Sequence, residues 1–291
     1  MTKETIGIAL QKKENIFIPG KHGKPIVADI TWPVSSAPLP VVIFCHGFKG
    51  FKDWGYFNLA AEAFARSGIM FVKFNFSHNG TSPENPLEFV DLDAFANNNL
   101  SIELDDLGRV IDYVEQAHNL KPAPADTSRI FLAGHSRGGS VAILKAAEDG
   151  RIKKLVTWSA VSDFEKNWSP DLVEHWKTTG VLYVPNVRTG QQMPLHYQLY
   201  TDYITHRSRL RVLSAAAKIH IPFLIIHGTQ DETVPFQDAE ELHKACPTAK
   251  LLPIEGADHV FGGKHPWKSD TLPAPARQVI LASADFLNAP C

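Results

Sequence analysis

The chain has 291 residues, 44% hydrophobic and 21% charged, enough apolar material for one large α/β domain with an insertion or for two smaller domains. Lysine and arginine total 29 against 31 aspartates and glutamates; the resulting net charge of -2 argues against a nucleic-acid binder and offers no polybasic handle for a membrane surface. Cys45, Cys246 and Cys291 are too few and too irregular for a disulfide framework or a zinc knuckle. The N-terminus lacks the apolar stretch of a secretory signal and no apolar run reaches bilayer length, so a cytoplasmic protein with free thiols is expected.

In chain order, residues 14–19 and 25–33 read as β-strands around a glycine-containing turn at Gly20 and Gly23. Val41-Val42-Ile43-Phe44-Cys45 is a short, continuous apolar run, the mark of a parallel strand buried on both faces. Residues 59–67 give a helical stripe that Gly68 stops, and residues 69–74 another strand. A polar loop is expected over residues 75–99, then a helix whose period is set by Leu104, Leu107, Ile111 and Val114. Strand and helix alternate again at residues 129–133 and 140–147, and strands follow at 154–158 and 222–226. A helix at 236–245, a strand at 249–254 and a terminal helix at 274–288 close the series. This alternation means βαβ units: an α/β fold with a mostly parallel sheet and helices on both faces.

One stretch breaks the rhythm. About sixty residues before Ile221 hold no clean βα unit, yet carry Trp168, Trp176 and four of the six tyrosines. Within it, Val181–Val184 and Gln192–Leu195 are spaced for a hairpin. Residues 161–217 are therefore expected to form an inserted cap on a core built from residues 1–160 and 218–291.

Gly134-His135-Ser136-Arg137-Gly138 lies directly between a predicted strand and a predicted helix, the context that gives G-x-S-x-G its meaning. Its glycines permit a sharp turn, and the following helix aims N–H groups and a positive dipole end at the serine. At this point the sequence resembles the α/β-hydrolase superfamily. It is similar to small bacterial carboxylesterases of the cinnamoyl or feruloyl esterase type and to the hydrolase domain of acyl-peptidases. The resemblance covers nearly the whole chain except the cap and implies an acid and then a histidine, each just past a later strand. Asp231, in Gly228-Thr229-Gln230-Asp231-Glu232-Thr233-Val234-Pro235, matches the acid position ahead of Glu232, and His259 matches the histidine position, with Asp258 beside it.

The resemblance implies Ser136 as nucleophile, His259 as the base that takes its proton and returns it to the leaving group, and Asp231 as the group that holds the imidazole tautomer. The backbone N–H groups of Phe48, in the His46-Gly47-Phe48 turn, and of Arg137 are the implied oxyanion donors. The Arg137 side chain either meets a substrate carboxylate or anchors the turn. Trp168, Tyr183 and His46 are candidate substrate contacts.

No H-E-x-x-H, Walker loop or dinucleotide fingerprint occurs, so neither metal nor cofactor is expected, and nothing specifies an oligomeric state. The implied activity is hydrolysis of a small-molecule acyl ester through an acyl-enzyme. The alternatives are a peptidase or acyltransferase with the same triad and a non-catalytic ligand-binding relative.

Overall fold

The computed structural model describes residues 8–290. The first seven residues of the expected core and the thiol of Cys291 lie outside that range. In chain order the elements begin with β1 (Leu10–Ile18), β2 (Ile26–Pro33), β3 (Leu39–Cys45), α1 (Phe57–Arg66) and β4 (Met70–Asn75). Next come α2 (Leu92–Ala96), α3 (Leu100–Glu115), β5 (Ala125–His135), α4 (Arg137–Ala146) and β6 (Ile152–Trp158). The insertion holds α5 (Pro170–Thr179), β7 (Val181–Asn186), β8 (Gln191–His196), α6 (Gln198–Thr205), α7 (Arg207–Leu210) and α8 (Val212–Ala216). The chain ends with β9 (Phe223–Gly228), α9 (Gln237–Ala245), β10 (Lys250–Ile254) and α10 (Ala274–Asn288).

Eight strands form one sheet in the order β1-β2-β4-β3-β5-β6-β9-β10. The β1–β2 and β2–β4 pairs are antiparallel, and every pair from β4 to β10 is parallel. The apolar runs are continuous because alternate residues enter different cores. Val41, Ile43, Leu132, Leu155 and Ile225 pack with α3, α4, α8 and α9. Val42, Phe44, Phe131, Val156 and Ile226 pack with α1 and α10 on the other face. Burying both faces is what a parallel sheet requires. Its consequence for function is that the carboxyl ends of β3, β5, β9 and β10 open onto one rim, where their loops meet.

The stretch between β6 and β9 is more helical than its sequence rhythm suggests. The Ser169 hydroxyl accepts the Leu172 N–H at 3.3 Å, Pro170 opens α5, and Gly180 closes it in the left-handed region at φ 74°. Trp176 is buried and donates its indole N–H to the Leu195 carbonyl at 2.7 Å, fixing α5 on the β7–β8 hairpin. Met193 of that hairpin packs with Phe51, Phe89 and Phe95 of the core loops. Leu210, Val212, Ala215 and Ala216 enter the main core, so the last turns of the insertion are part of the sheet's own helical layer. The polar loop after β4 likewise contains α2, which the Asp91 carboxylate caps by accepting the Ala94 N–H at 3.0 Å. No helix among the described residues is long and apolar enough to cross a membrane.

Candidate active site

Ser136 sits at the break between β5 and α4 with φ 54° and ψ -126°, a conformation that costs a non-glycine residue on the order of 1–3 kcal/mol. The surroundings impose it. The Ser136 N–H donates to the Trp158 carbonyl at 2.8 Å, and its own carbonyl accepts the Gly139 N–H at 2.9 Å. A Cβ on Gly134 would lie 2.4 Å from the Gly138 carbonyl oxygen, and one on Gly138 would lie 2.3 Å from the carbonyl oxygens of both Cys45 and His46. Only glycine lets β3, the turn and α4 approach this closely.

The loop after β3 closes against the serine. A Cβ on Gly47 would be 3.0 Å from the Ser136 Cβ, so the backbone leading to Phe48 abuts the serine side chain. Neither the Phe48 nor the Arg137 N–H makes a hydrogen bond among the described residues, and both residues line the same cavity as Ser136. Four charges, three buried and Asp53 half-buried, hold this loop to the sheet. Lys52 bridges Asp29 at 2.5 Å and Asp53 at 2.6 Å; Lys73 bridges Asp29 at 2.7 Å and also Asp53. The Lys52 N–H adds a bond to Asn75 Oδ1 at 2.6 Å. Burial alone would raise the Asp29 carboxyl, but the Lys73 and Lys52 charges beside it hold it below the usual range.

Asp231 and His259 meet where the loops after β9 and β10 touch. Asp231 Oδ2 lies 2.8 Å from His259 Nδ1, while Oδ1 accepts the N–H groups of Thr233 at 2.9 Å and Val234 at 2.8 Å. A second histidine serves the same carboxylate. Fully buried His227 donates from Nε2 to the Val234 carbonyl at 2.8 Å and lies 3.3 Å from Asp231 Oδ2. Burial pushes the Asp231 carboxyl up, yet the bonds from His227, His259 and Val234 carry it far below the usual range, so it stays ionised. His135 braces the other partner. Burial and the neighbouring His259 push its pKa down to about 3, and the neutral ring donates from Nε2 to the His259 carbonyl at 2.8 Å.

Ser136, Arg137, Phe48 and His259 share a cavity of about 950 Å³ under the insertion, walled by Phe164, Trp168 and Trp176. Trp168, a candidate contact in the sequence, is on this wall. Tyr183 is not: alternation along β7 turns Leu182 and Val184 toward the cavity and leaves Tyr183 61% exposed. His46 also lies outside the wall. Its Nδ1 bonds the Gly47 carbonyl at 2.9 Å and its Nε2 accepts the Phe76 N–H at 3.4 Å, so the ring shapes the turn rather than meeting a ligand. Burial pushes its pKa down to about 4, consistent with a neutral ring. The Arg137 side chain does anchor the turn: Nε donates to Glu103 at 3.0 Å beneath the Phe48 ring. Cys45 is buried in the sheet core and burial pushes its thiol up, as for a small packing residue. Among the described residues no group of three or more His, Cys, Asp or Glu side chains could hold a metal ion.

His227 and the four-charge cluster were not singled out in the sequence. A lysine and an aspartate inside apolar strands were the available signals, since a charge buried on a strand requires a partner.

Residues 42–268 match the model of the Alpha/beta hydrolase family. The chain is similar to the monoacylglycerol lipase of Mycolicibacterium smegmatis, 24% identical over 251 residues that make 78% of this chain and 82% of the relative. It is also similar to AB hydrolase superfamily protein YisY of Bacillus subtilis, 24% identical over 249 residues, 75% of this chain and 84% of the relative. Among solved structures, the ferulic acid complex of Est1E from Butyrivibrio proteoclasticus superposes with a TM-score of 0.71 at 22% identity, covering 94% of this chain and 97% of that one. That likeness is one of fold.

Proposed function

As the chain belongs to the alpha/beta hydrolase family, we propose that it is a serine esterase that cleaves carboxylic esters of small to medium apolar acids through a Ser136–His259–Asp231 triad. The observation that carries this reading is the 2.8 Å pairing of His259 Nδ1 with an ionised Asp231, on the cavity that also receives the strained Ser136.

In this account Ser136 Oγ attacks the ester carbonyl while His259 Nε2 takes its proton. Asp231 keeps the other ring nitrogen protonated and stabilises the imidazolium. The negative oxygen of the tetrahedral intermediate accepts from the Phe48 and Arg137 N–H groups, a contribution of about 100–1000-fold in turnover per donor. His259 then hands its proton to the leaving alcohol, and a water attacks the acyl-enzyme by the same route in reverse. Residues 161–217 act as the cap. The part that covers the acyl site is α5 with the β7–β8 hairpin and the segment leading into α5; Trp168 of that segment and Trp176 of α5 offer edges and faces to a flat or branched acyl group.

The partner is a small-molecule ester. Est1E, of similar fold, holds ferulic acid, which makes hydroxycinnamate esters the first aromatic candidates. Steady-state turnover of methyl hydroxycinnamates against p-nitrophenyl butyrate, on wild type and Ser136→Ala, tests the proposal. Hydrolysis of both by wild type, lost in the variant, supports the esterase; equal rates from Ser136→Ala would overturn it. Faster turnover of aminoacyl-nitroanilides than of esters would instead favour a peptidase.

A further inference from the structure

The cavity wall has an ionic composition unlike the rest of the molecule. Lys49, Arg137, Arg188 and Lys264 line it, and no aspartate or glutamate does, although acids outnumber basic residues in the chain as a whole. Arg137 is neutralised from behind by Glu103. The other three form no ion pair within 4.0 Å among the described residues, and no acid shares the cavity wall with them.

These three cations come from three neighbouring segments: Arg188 and the residue after Lys264 both pack on the Phe51 ring, and Lys49 bonds the hairpin that carries Arg188. The Arg188 guanidinium, in the β7–β8 turn, lies 5.6 Å from the Phe51 centroid and 5.7 Å from that of Phe89. Lys49 donates to the carbonyl of Pro185 in the same hairpin at 3.0 Å. Lys264 precedes His265, whose ring packs edge-on to Phe51 at 4.9 Å. The acids in reach are committed or solvated: Asp53 is held by Lys52 and Lys73, and exposed Glu88 acts on Arg188 through space without forming an ion pair. Burial disfavours the charge on both Lys49 and Arg188, only partly offset at Arg188 by the Glu88 charge, so each is partly dehydrated without an ion-pair partner. Deeper in the cavity the wall is apolar, with Trp176 and Leu199 buried, while Arg188 and Lys264 are exposed at the mouth.

We propose that the substrate is amphiphilic: besides its ester and apolar part it carries an anionic group, a carboxylate, sulfonate or phosphate, which Lys49, Arg188 and Lys264 receive at the cavity mouth. The proposal rests on the esterase reading for where the ester lies and adds the charge that selects among esters. Each exposed ion pair contributes about 1.5- to 5-fold. Three together give about a 10-fold preference at low salt. That preference shrinks as the Debye length falls from about 30 Å at 0.01 M to about 3 Å at 1 M.

The test compares kcat/KM within two matched pairs, each corrected for the ester's rate of hydroxide hydrolysis. Mono-p-nitrophenyl adipate against p-nitrophenyl hexanoate puts the charge on the acyl side. 4-Sulfophenyl hexanoate against phenyl hexanoate puts it on the leaving group. The expected result is a preference of about 10-fold for the anionic member of one pair at 0.01 M salt, falling several-fold at 1 M and inverting in R188E/K264E. The pair that shows it identifies the side that carries the charge. Equal or lower kcat/KM for the anionic member of both pairs, or a preference indifferent to salt and to charge reversal, would overturn the proposal. Should wild type hydrolyse none of the four, the esterase reading fails by itself. Calorimetric titration of the intact protein with adipate and with hexanamide then decides: salt-sensitive adipate binding that R188E/K264E abolishes supports the anion site, and its absence overturns it.

Discussion

The charge cluster beneath the oxyanion loop makes a strong quantitative demand. Asp29, Lys52, Asp53 and Lys73 are each at most 14% exposed at the side chain and sum to zero charge. Lys73→Met removes two ion pairs and leaves Lys52 alone facing two carboxylates. Breaking a buried pair on one side costs about 3–5 kcal/mol, chiefly because the orphaned charge stays buried. Asp29→Asn likewise leaves two ammonium groups facing Asp53, although it retains an acceptor for the Asn15 N–H now held at 2.9 Å. The double variant restores neutrality, with Lys52 and Asp53 still paired. It should therefore be more stable than the sum of the singles predicts, with a coupling of about 2 kcal/mol or more. Urea unfolding of the four proteins at one pH, with m-values checked for constancy, measures the cycle. Single losses below about 1 kcal/mol, or additivity within about 0.5 kcal/mol, would refute the reasoning. Because Lys52 and Asp53 belong to the loop that carries Phe48, either single change should also lower kcat more than it raises KM.

Further predictions follow from other contacts. Asp231→Asn should reduce kcat about 10⁴-fold by offering an amide N–H where His259 Nδ1–H needs an acceptor, with little change in fold; a loss under 10-fold would assign the carboxylate elsewhere. Burial raises the Asp106 carboxyl from 3.8 to about 7, despite the 2.7 Å bond from the Ser77 N–H. The folded state thus holds a proton that the unfolded chain releases, and stability drains away as pH rises from about 4 to about 7. Asp106→Asn should flatten that slope by up to about 4 kcal/mol, read from unfolding at a series of pH values. Asp231, shifted the opposite way, contributes stability that is present above pH 3.8 and lost only in strong acid. Gly138→Ala would drive a Cβ to 2.3 Å from two carbonyl oxygens and should cost about 3 kcal/mol or more along with activity; wild-type stability in that variant would mean that the turn is looser than described.

Much of the site was legible because short-range punctuation and chemistry coincide. Gly134, Gly138 and Gly139 mark the elbow, Gly228 marks the acid loop, and each follows a strand whose unbroken apolar run announces burial on two faces. The terminal helix was readable to its ends, Ala274 and Asn288. What escaped depends on register and parity. Asp29 and Lys73 face each other only because β2 and β4 pair in that register, which no local pattern specifies. Tyr183 faces outward because Leu182 and Val184 take the inward parity, so aromatic density alone pointed to the wrong side of the hairpin. In the insertion, α5 does carry its signals in Ser169, Pro170 and Gly180. By contrast α7 and α8, of 4 and 5 residues, are too short to hold a period and are set by packing on the core.

The central claim is that Ser136 is the activated nucleophile. Titrating the protein with a fluorophosphonate and mapping the adduct by peptide mass spectrometry tests it most directly. One phosphonyl group per chain on the peptide containing Ser136, with ester hydrolysis lost in proportion, is the predicted result. A folded, ester-hydrolysing protein that stays unlabelled, or that carries its adduct on another residue, would contradict it.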